Sequence, residues 1–334
     1  MSPAYVNSRP ETPEEALARQ RIAKSFDNTA RDPKRNLPSG EAVLGLLERD
    51  MPPVTYLCDP WIAEGLHLIA SRPKLGKSTL LRQELASVAG GDSLFGSSCQ
   101  QATAVFLSLE EGDRLTRRKF ELASYPEAAM ASIIVHFQWP RGQDGVDDIR
   151  RLLDSNESIK YVGIDSLTRF RSVPDSRLPG FIADYEAVSA LHSITKERPG
   201  LAIRLIHHSR KAKSDDPIDD ISGTYGVSAA VDSYWVLRHH EDGAVLHVGG
   251  RLWDRDQSQY QLRKANQRWE LVGEFSGLSP EQQKTVDLVR SSGGIGVTDA
   301  GSHWGVSRQL AYDRLEALVD RGAIRKANGT YYAL

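Results

Sequence analysis

Residues 66–79, LHLIASRPKLGKST, decide the fold of this chain. An apolar run from Leu66 to Ala70 passes through a turn-forming segment into a helix-compatible segment that begins at Lys77. A strand that leads through a compact turn into a helix directs the unpaired backbone N–H groups of the helix N-terminus, and its dipole, at an anion. The segment therefore predicts a polyphosphate-binding loop, formed by Arg72, Pro73, Lys74, Leu75, Gly76, Lys77, Ser78 and Thr79.

Three side chains of this loop have expected roles. Lys77 is placed to bridge the β- and γ-phosphates of a nucleoside triphosphate, the Ser78 hydroxyl to ligate magnesium, and Thr79 to lie nearer the α-phosphate. The pattern GxxxxGK[ST] departs here at its first position, where Ser71 replaces Gly. Serine tolerates positive φ far less than glycine does, so the substitution restricts the backbone at the start of the loop.

Short apolar runs alternate with helical patterns on both sides of the loop. The predicted strands are residues 66–70, 103–108, 133–137, 161–164 and 201–206. The predicted helices are residues 77–89, 115–123, 146–153 and 181–195. This alternation predicts an α/β fold with a central, mostly parallel sheet covered on both faces. Four close-spaced strands without helices between them, at residues 234–238, 244–248, 260–263 and 269–273, predict an antiparallel extension.

Acidic residues follow two of the predicted strands. Glu110 and Glu111 follow residues 103–108, and Asp165 follows residues 161–164. Because ligands bind at the carboxyl edge of a parallel sheet, we expect these side chains to meet the phosphate loop there. Asp165 would then hold magnesium together with Ser78, and Glu110 would polarise the attacking water, with Glu111 as a second candidate. Taken singly, each acid is more often a helix N-cap or a solvated loop residue.

A histidine pair follows the strand at residues 201–206. His208 can hydrogen-bond the γ-phosphate and report its loss to the following loop. A metal site at His207 and His208 is the alternative, but no third ligand accompanies them at suitable spacing. The two cysteines, Cys58 and Cys99, have no CxxC or histidine companion, which excludes a disulfide scaffold or zinc knuckle and is typical of a reducing cytosol.

The length of 334 residues allows one large domain and one small domain. We expect a mostly disordered arm at residues 1–40, the α/β domain at 41–275 and a separate module at 279–334. The formal net charge of −2 excludes a global positive field that recruits nucleic acid. Because no apolar stretch approaches the ~20 residues of a membrane helix, we expect a cytoplasmic protein without membrane contact.

The C-terminal module has the pattern of a winged helix-turn-helix. Its predicted elements are helices at 280–290, 298–304 (capped by Thr298) and 307–320 (capped by Ser307), and a hairpin of residues 323–326 and 330–333 around Asn328-Gly329. The expected DNA contacts are Arg308, Gln309, Tyr312 and Arg314 on the third helix and Lys326 on the wing. Seven basic and six acidic side chains leave the module a net charge of +1, so electrostatic affinity for DNA is modest and protein docking stays an alternative.

Six motifs together resemble a known family. They are SRPKLGKST (71–79), LSLEE (107–111), YVGIDSL (161–167), HHSRK (207–211), SGTYGVSAAVDSYWVL (222–237) and HVGGRLWD (247–254). In this order, over residues 43–274, they resemble the RecA-fold ATPases of the plasmid RepA hexameric-helicase group, which is related to the DnaB and RadA ATPases. The resemblance implies a RecA-like P-loop ATPase with ATP and Mg²⁺ as cofactors. It also implies a homo-oligomeric ring, usually hexameric, with ATP between subunits and single-stranded DNA in the centre.

The resemblance also assigns roles to individual residues. Lys77 and Ser78 match the phosphate loop, Glu110 the catalytic glutamate, Asp165 the magnesium aspartate, His208 the γ-phosphate sensor and Arg251 the cation that reaches a neighbour's ATP. Arg210 and Arg255 compete with Arg251 for that role, because Ser222 and Leu252 depart from the family pattern nearby.

The implied function is an ATP-hydrolysing DNA motor, a replicative helicase of a phage or mobile element. An ATP-switched initiator, loader or regulator that does not unwind DNA is the alternative. A degenerate pocket that serves assembly alone is a third hypothesis, against which the intact Lys77, Ser78, Glu110 and Asp165 argue.

Overall fold

The computed structural model of the protein describes residues 52–173, 180–210, 214, 216–221, 225–253, 258–275, 280–320 and 323–333, together with residues 43, 48 and 50. The chain divides into two compact units, residues 1–53 and 54–334. The predicted N-terminal arm lies outside the described residues, and the predicted domain boundaries stay predictions.

The strands are numbered here in chain order. They are β1 (Tyr56–Cys58), β2 (Ile62–Ala63), β3 (Gly65–Ser71), β4 (Ser93–Leu94), β5 (Ser97–Ser98), β6 (Thr103–Ser108), β7 (Ile133–His136), β8 (Ile159–Asp165), β9 (Ala202–His208), β10 (Ser233–His240), β11 (Gly243–Gly250), β12 (Ser258–Ala265), β13 (Arg268–Glu274), β14 (Ile295–Gly296), β15 (Ile324–Ala327) and β16 (Thr330–Ala333).

The helices are numbered in the same way. They are α1 (Lys77–Gly90), α2 (Asp113–Ala123), α3 (Glu127–Ala131), α4 (Gln143–Ser155), α5 (Leu167–Phe170), α6 (Gly180–Glu197), α7 (Tyr225–Ala230), α8 (Pro280–Ser291), α9 (Val297–Trp304) and α10 (Arg308–Asp320), with a 3₁₀ turn at Pro217–Asp220.

A nine-stranded sheet forms the centre of the second unit, in the order β13-β12-β11-β10-β3-β9-β8-β6-β7. The strands from β10 to β7 run parallel to one another. The strands β11, β12 and β13 extend this sheet in antiparallel fashion. The α/β fold with a mostly parallel sheet, and its antiparallel extension, are therefore confirmed.

Each face of this sheet has its own apolar cluster. In β3, Leu66, Leu68 and Ala70 join the cluster that also contains residues of α4 and α6, whereas Ile69 joins the cluster of α1. Since alternate residues of a strand point to opposite faces, an uninterrupted apolar run is what a strand covered on both sides requires. Because the chain passes from the end of β3 directly into the loop, α1 begins at the carboxyl edge of the sheet.

The predicted strands and helices of the sheet domain begin and end within three residues of the observed ones. The sequence did not predict the short helices α3, α5 and α7, or the small hairpins β1–β2 and β4–β5. These elements are only two to six residues long, too short for a hydrophobic period to develop.

Residues 280–333 form α8, α9, α10 and a three-stranded sheet in the order β14-β16-β15. Val289, Ala311, Leu315 and Tyr331 belong to an apolar cluster made of residues from this segment alone. The predicted helices and hairpin are present, and their interpretation as a winged helix stays a prediction. No helix among the described residues has the length and apolar character needed to cross a bilayer.

Two capping predictions have different outcomes. Ser307 caps α10, because its hydroxyl accepts a hydrogen bond from the Leu310 N–H at 3.2 Å. The prediction for Thr298 is wrong: α9 begins one residue earlier, at Val297, and its N-cap Gly296 has no side chain to bond the helix N-terminus. Thr298 is therefore already inside the first turn.

Candidate functional site

The phosphate loop connects β3 to α1 and owes its shape to two residues with positive φ. Lys74 has φ 65° and Gly76, the N-cap of α1, has φ 105°. No side chain caps this helix and its first turn contains no acidic residue, so its N–H groups are open to an anion. A Cβ atom at Gly76 would lie 2.8 Å from Cζ2 of Trp269, whose indole N–H donates to the Gly76 carbonyl at 3.0 Å.

Ser71 does not disturb this loop. It is the last residue of β3, pairs with His208 and Leu237 on the neighbouring strands, and is fully buried. Its hydroxyl donates to the Arg72 carbonyl at 2.8 Å. Because Ser71 continues the extended strand, the position does not need the conformational freedom of glycine.

The other loop residues are arranged around this turn. Arg72, Pro73 and Lys74 are exposed and Leu75 is half-buried, while Thr79 is buried in α1. Arg72 and Leu75 line a cavity of about 210 Å³ beside the loop. The loop is therefore open to solvent, whereas α1, which follows it, packs against the sheet.

Lys77, Ser78 and Asp165 meet at the carboxyl edge of the sheet. Lys77 is 6% exposed, and its burial lowers the pKa of the ammonium group, against the opposing attraction of Asp165 and Glu110. Ser78 donates a hydrogen bond to the Asp165 carboxylate. Burial, with a contribution from the charges of Glu110 and Glu111, raises the pKa of Asp165 to about 6, although the Ser78 hydrogen bond and Arg82 act in the opposite direction.

These residues fit magnesium. Oδ1 of Asp165 is buried and has no hydrogen-bond partner, and the Ser78 hydroxyl lies against the same carboxylate. Magnesium prefers oxygen ligands and is commonly bound through one or two carboxylates together with substrate phosphates and water. No cluster of three histidine, cysteine or acidic side chains suited to a metal occurs among the described residues. Ser78 and Asp165 would therefore hold the ion together with phosphate oxygens and water.

Glu110 and Glu111 have different surroundings. Oε1 of Glu110 accepts a hydrogen bond from the Ser166 hydroxyl and lies 3.6 Å from Nε2 of His208. Glu111 instead forms ion pairs with Arg82, at 3.2 Å, and with Lys119. Since two cations hold the Glu111 carboxylate, Glu110 is the better placed base.

Ser166 is a site residue that the sequence analysis missed. It follows Asp165 directly, is fully buried, and occupies the N-cap of α5, where its carbonyl accepts from the Phe170 N–H at 3.0 Å. Its hydroxyl makes no cap hydrogen bond, because it is directed to Glu110. The backbone N–H groups of Leu109 and Glu110 both donate to the Asp165 carbonyl, at 2.8 and 3.2 Å. These bonds join the ends of β6 and β8 and place the carboxylates of Glu110 and Asp165 side by side.

His207 and His208 point to opposite faces of β9, as consecutive strand residues do. His208 reaches Glu110 at the site, whereas His207 is buried and interacts electrostatically with Asp184 of α6. The two imidazoles therefore cannot converge on one ion. This geometry disfavours the alternative of a histidine metal site.

The candidate cations lie at different edges of the sheet. Arg210 is exposed two residues beyond His208, at the edge of the phosphate loop, and Arg255 is outside the described residues. Arg251 is exposed at the end of β11, where Gly250 pairs with Ser233 and Ser233 in turn pairs with His67. Ser71, where the loop starts, is four residues after His67 in β3, which is roughly 13 Å along that strand. Arg251 therefore lies at the opposite edge from the loop of its own chain.

The expected DNA contacts on α10 and the hairpin are not equally available. Arg308, Gln309 and Tyr312 are exposed. Arg314 is half-buried, 3.4 Å from Glu281 and with its guanidinium 5.8 Å from the Trp304 ring. Lys326 is ion-paired with Glu316 and lies 4.8 Å from the ring of Tyr312.

Two comparisons with known proteins found matches, one to a protein family and one to solved structures. A family profile described as AAA domain matches residues 34–214. A KaiC-like protein from the hyperthermophilic archaeon Pyrococcus horikoshii OT3 is similar in structure, with 17% sequence identity and a TM-score of 0.46 over 66% of this chain and 99% of that one. The search of curated proteins found no significant match. Since the profile match spans more than half of the 334 residues, the chain belongs to the AAA domain family and is a P-loop ATPase.

Proposed function

We propose that this protein is an ATP-hydrolysing, ring-forming DNA motor that resembles RepA-type replicative helicases and acts in the DNA replication of a phage or mobile element. The observation that carries the proposal is the convergence of Lys77, Asp165 and Glu110 at one edge of the sheet. A pocket that served assembly alone would have no chemical need for a buried lysine and two carboxylates together.

Hydrolysis would use the residues as follows. The backbone N–H groups at the start of α1 and the Lys77 ammonium bind the β- and γ-phosphate oxygens. Ser78 and Asp165 would hold magnesium, which would neutralise charge on the phosphate oxygens when bound. Glu110 accepts the proton of the attacking water through Oε2, since Oε1 is occupied by Ser166. His208, next to Glu110, hydrogen-bonds the γ-phosphate and responds to its departure.

The ring is supported by the position of Arg251. Because Arg251 lies at the edge opposite its own phosphate loop, a transition-state role for it requires a second subunit. An arginine supplied by a neighbour typically accelerates phosphoryl transfer by about 10³–10⁵-fold. The resemblance to hexameric helicases supports the same arrangement, with single-stranded DNA in the centre of the ring.

Duplex DNA is the proposed ligand of a winged helix at residues 280–333. Arg308, Gln309 and Tyr312 are exposed on one helix and have the donor and acceptor groups that contact base edges. Arg314 and Lys326 are held by acidic neighbours, so we expect them to contribute less. This exposed set also favours the alternative function, an ATP-switched initiator, helicase loader or regulator that binds a site without unwinding it.

The first experiment measures ATP hydrolysis with and without single-stranded DNA. We expect DNA stimulation, loss of ATP binding and hydrolysis in Lys77→Ala, and a 10²–10⁴-fold lower kcat with retained ATP binding in Glu110→Gln. The matched controls are Lys160→Ala and Glu127→Gln, which change exposed side chains away from the site. Unchanged hydrolysis in Lys77→Ala would refute the ATPase assignment.

A mixing experiment tests the ring. Arg251→Ala subunits keep an intact phosphate loop, and Lys77→Ala subunits keep Arg251. If Arg251 acts on a neighbour, mixing the two inactive variants restores hydrolysis at the mixed interfaces. No recovery, together with monomers in light scattering with ATP and an oligonucleotide, contradicts the ring.

A third assay separates the two functions. A motor displaces a strand from a forked duplex, and Glu110→Gln abolishes this activity. An initiator or regulator instead gives a sequence-specific duplex footprint that survives in Glu110→Gln and is lost in Arg308→Ala.

A further inference from the structure

The two cysteines of the chain, 41 positions apart in sequence, face each other in the fold. Cys58 is the last residue of β1 and Cys99 follows β5, and they form an isolated antiparallel bridge. Both are free thiols and both are buried, with 1% and 8% of their surfaces exposed. Neither has a role at the phosphate loop.

The register of the bridge suits a covalent link. Gln100 donates its N–H to the Leu57 carbonyl at 2.7 Å, whereas the Cys99 N–H donates to Asp92 at 3.3 Å. Cys58 and Cys99 are therefore a non-hydrogen-bonded pair, in which Cα atoms lie about 4.5 Å apart and side chains are close. Disulfides span Cα separations of about 4.4–6.8 Å. The Cys58 thiol donates a hydrogen bond at 3.5 Å to the carbonyl of Ser97, two residues before Cys99, so it is directed at the segment that carries Cys99.

We propose that Cys58 and Cys99 form an oxidisable dithiol, which a peroxide converts into a cross-strand disulfide and a thiol reductant restores. The Cys58 thiolate attacks one peroxide oxygen, the O–O bond breaks, and the other oxygen leaves as water after it takes up a proton. The Cys99 sulfur then attacks the Cys58 sulfenic acid, so that the S–S bond forms and the S–O bond breaks with release of a second water. The two sulfurs lose two electrons, which reduce the peroxide.

The electrostatic surroundings support this order of attack. The hydrogen bond from the Cys99 thiol lowers the pKa of Cys58, against the opposing effects of burial and of the carboxylates of Glu84 and Asp59. The same hydrogen bond, and then burial, raise the pKa of Cys99. Because thiolates are the nucleophiles in such chemistry, Cys58 is the attacking sulfur and Cys99 the resolving one.

The disulfide would enclose the phosphate loop. The closed segment, residues 58–99, contains β3, the loop and all of α1. Residues just before Cys99 are bonded to the end of α1, where Asp92 donates its N–H to Ser87 at 2.9 Å and the Ser87 hydroxyl donates to Ser93 at 3.2 Å. The cross-link would therefore tie this end of α1 to β1 and restrict the unfolded chain, so oxidation should raise Tm by several degrees. This inference does not depend on the reaction at the loop.

The experiment treats the native full-length protein with hydrogen peroxide, then denatures and alkylates it. We expect an intact mass lower by two hydrogens, no alkylation, and one tryptic species in which residues 50–74 and 83–114 are joined until a reductant is added. Cys58→Ser should accept one alkyl group at Cys99, whereas Cys99→Ser should gain oxygen at Cys58, because its sulfenic acid has no resolving thiol. Neither variant should form the joined species.

Other outcomes overturn the proposal. They are alkylation of both thiols after peroxide treatment, addition of oxygen without loss of hydrogen, or a cross-link between two chains. The peptide map of the unsubstituted protein decides between these results even if a serine variant fails to fold. An oxidised protein with an unchanged Tm would refute the predicted tie between α1 and β1.

Discussion

The hydroxyl of Ser166 donates a hydrogen bond to Oε1 of Glu110, and this bond joins the residue after the proposed magnesium ligand to the proposed base. Ser166 is fully buried and occupies a helix N-cap, but its hydroxyl does not bond the helix. Serine at an N-cap ordinarily accepts a hydrogen bond from the helix backbone. Here the hydroxyl instead orients a carboxylate.

Ser166→Ala should therefore slow hydrolysis without weakening ATP binding. The Glu110 carboxylate would lose the donor that fixes its rotamer, and a misplaced catalytic group costs up to about 10²-fold in rate. Steady-state kinetics and an ATP-binding titration test this expectation. In a Ser166→Ala/Glu110→Gln double variant the effects should not multiply, because both changes act through the same carboxylate. Multiplicative losses would contradict the positioning role.

Gly76→Ala should destabilise the protein and weaken ATP binding. An alanine at this position would have to adopt φ 105°. Its methyl carbon would lie 2.8 Å from Cζ2 of Trp269, and the hydrogen bond from this indole to the residue 76 carbonyl holds the ring in place. We expect a loss of about 2–4 kcal/mol, the sum of backbone strain and overpacking.

Gly96→Ala is the matched control for this change. Gly96 also has positive φ, at 87°, but a Cβ atom there would have nothing within 4 Å. Its loss should be about 1 kcal/mol. Urea denaturation of both variants measures the difference, and equal losses would mean that the Trp269 contact contributes nothing.

Asp165→Asn should stabilise the nucleotide-free protein at pH 7 while it abolishes magnesium-dependent hydrolysis. Burial raises the pKa of Asp165 from 3.8 to about 6, so between these pH values the folded state binds more protons than the unfolded state does. Stability therefore falls as the pH rises through this window. Asparagine cannot ionise, so it removes the cost of burying a charged carboxylate and should raise the free energy of unfolding by up to about 3 kcal/mol.

The pH dependence provides the control for this prediction. At pH 4 the carboxyl group is largely protonated in the folded protein, so Asp165→Asn and the unsubstituted protein should have similar Tm values. Magnesium affinity of the unsubstituted protein should decrease below about pH 6, because the cation requires the ionised carboxylate. A stability gain that is as large at pH 4 as at pH 7 would contradict the assignment.

Glu84→Gln should destabilise the fold by about 3–5 kcal/mol, since it leaves the Arg204 charge buried without a counter-ion. Arg204 and Glu84 are fully buried, 2.8 Å apart, and the Tyr161 hydroxyl donates to the same carboxylate at 2.5 Å. Removal of both charges in Glu84→Gln/Arg204→Met should cost less than the sum of the single changes. Denaturation of the three variants gives the coupling, and strict additivity would contradict a mutual dependence.

The phosphate loop and the alternation of strands and helices could be predicted because each depends on local sequence. The apolar run before Ser71 predicts a strand, and Lys77 starts the helix that turns the loop toward its ligand. The carboxylates Glu110 and Asp165 could be located for the same reason, since the carboxyl ends of parallel strands share one edge.

Contacts between distant segments could not be predicted. Ser166 has the pattern of a helix cap, and nothing in its neighbourhood indicates that Glu110, 56 positions earlier, competes for its hydroxyl. Cys58 and Cys99 likewise have no spacing that relates them, and their pairing arises from two short hairpins below the length at which hydrophobic periodicity is detectable. In both cases the deciding partner is set by tertiary structure.

The bond from Trp269 to Gly76 spans 193 positions of sequence, so the loop and its partner are synthesised at different times. During synthesis the phosphate loop leaves the ribosome long before β13, the strand that contains Trp269. A nascent chain that has reached only residue 214, where the family match ends, contains Lys77, Glu110 and Asp165 but lacks the indole that closes the turn. Contacts of such long range form late in folding. The loop should therefore bind a nucleotide only after β13, at the edge of the sheet, has formed.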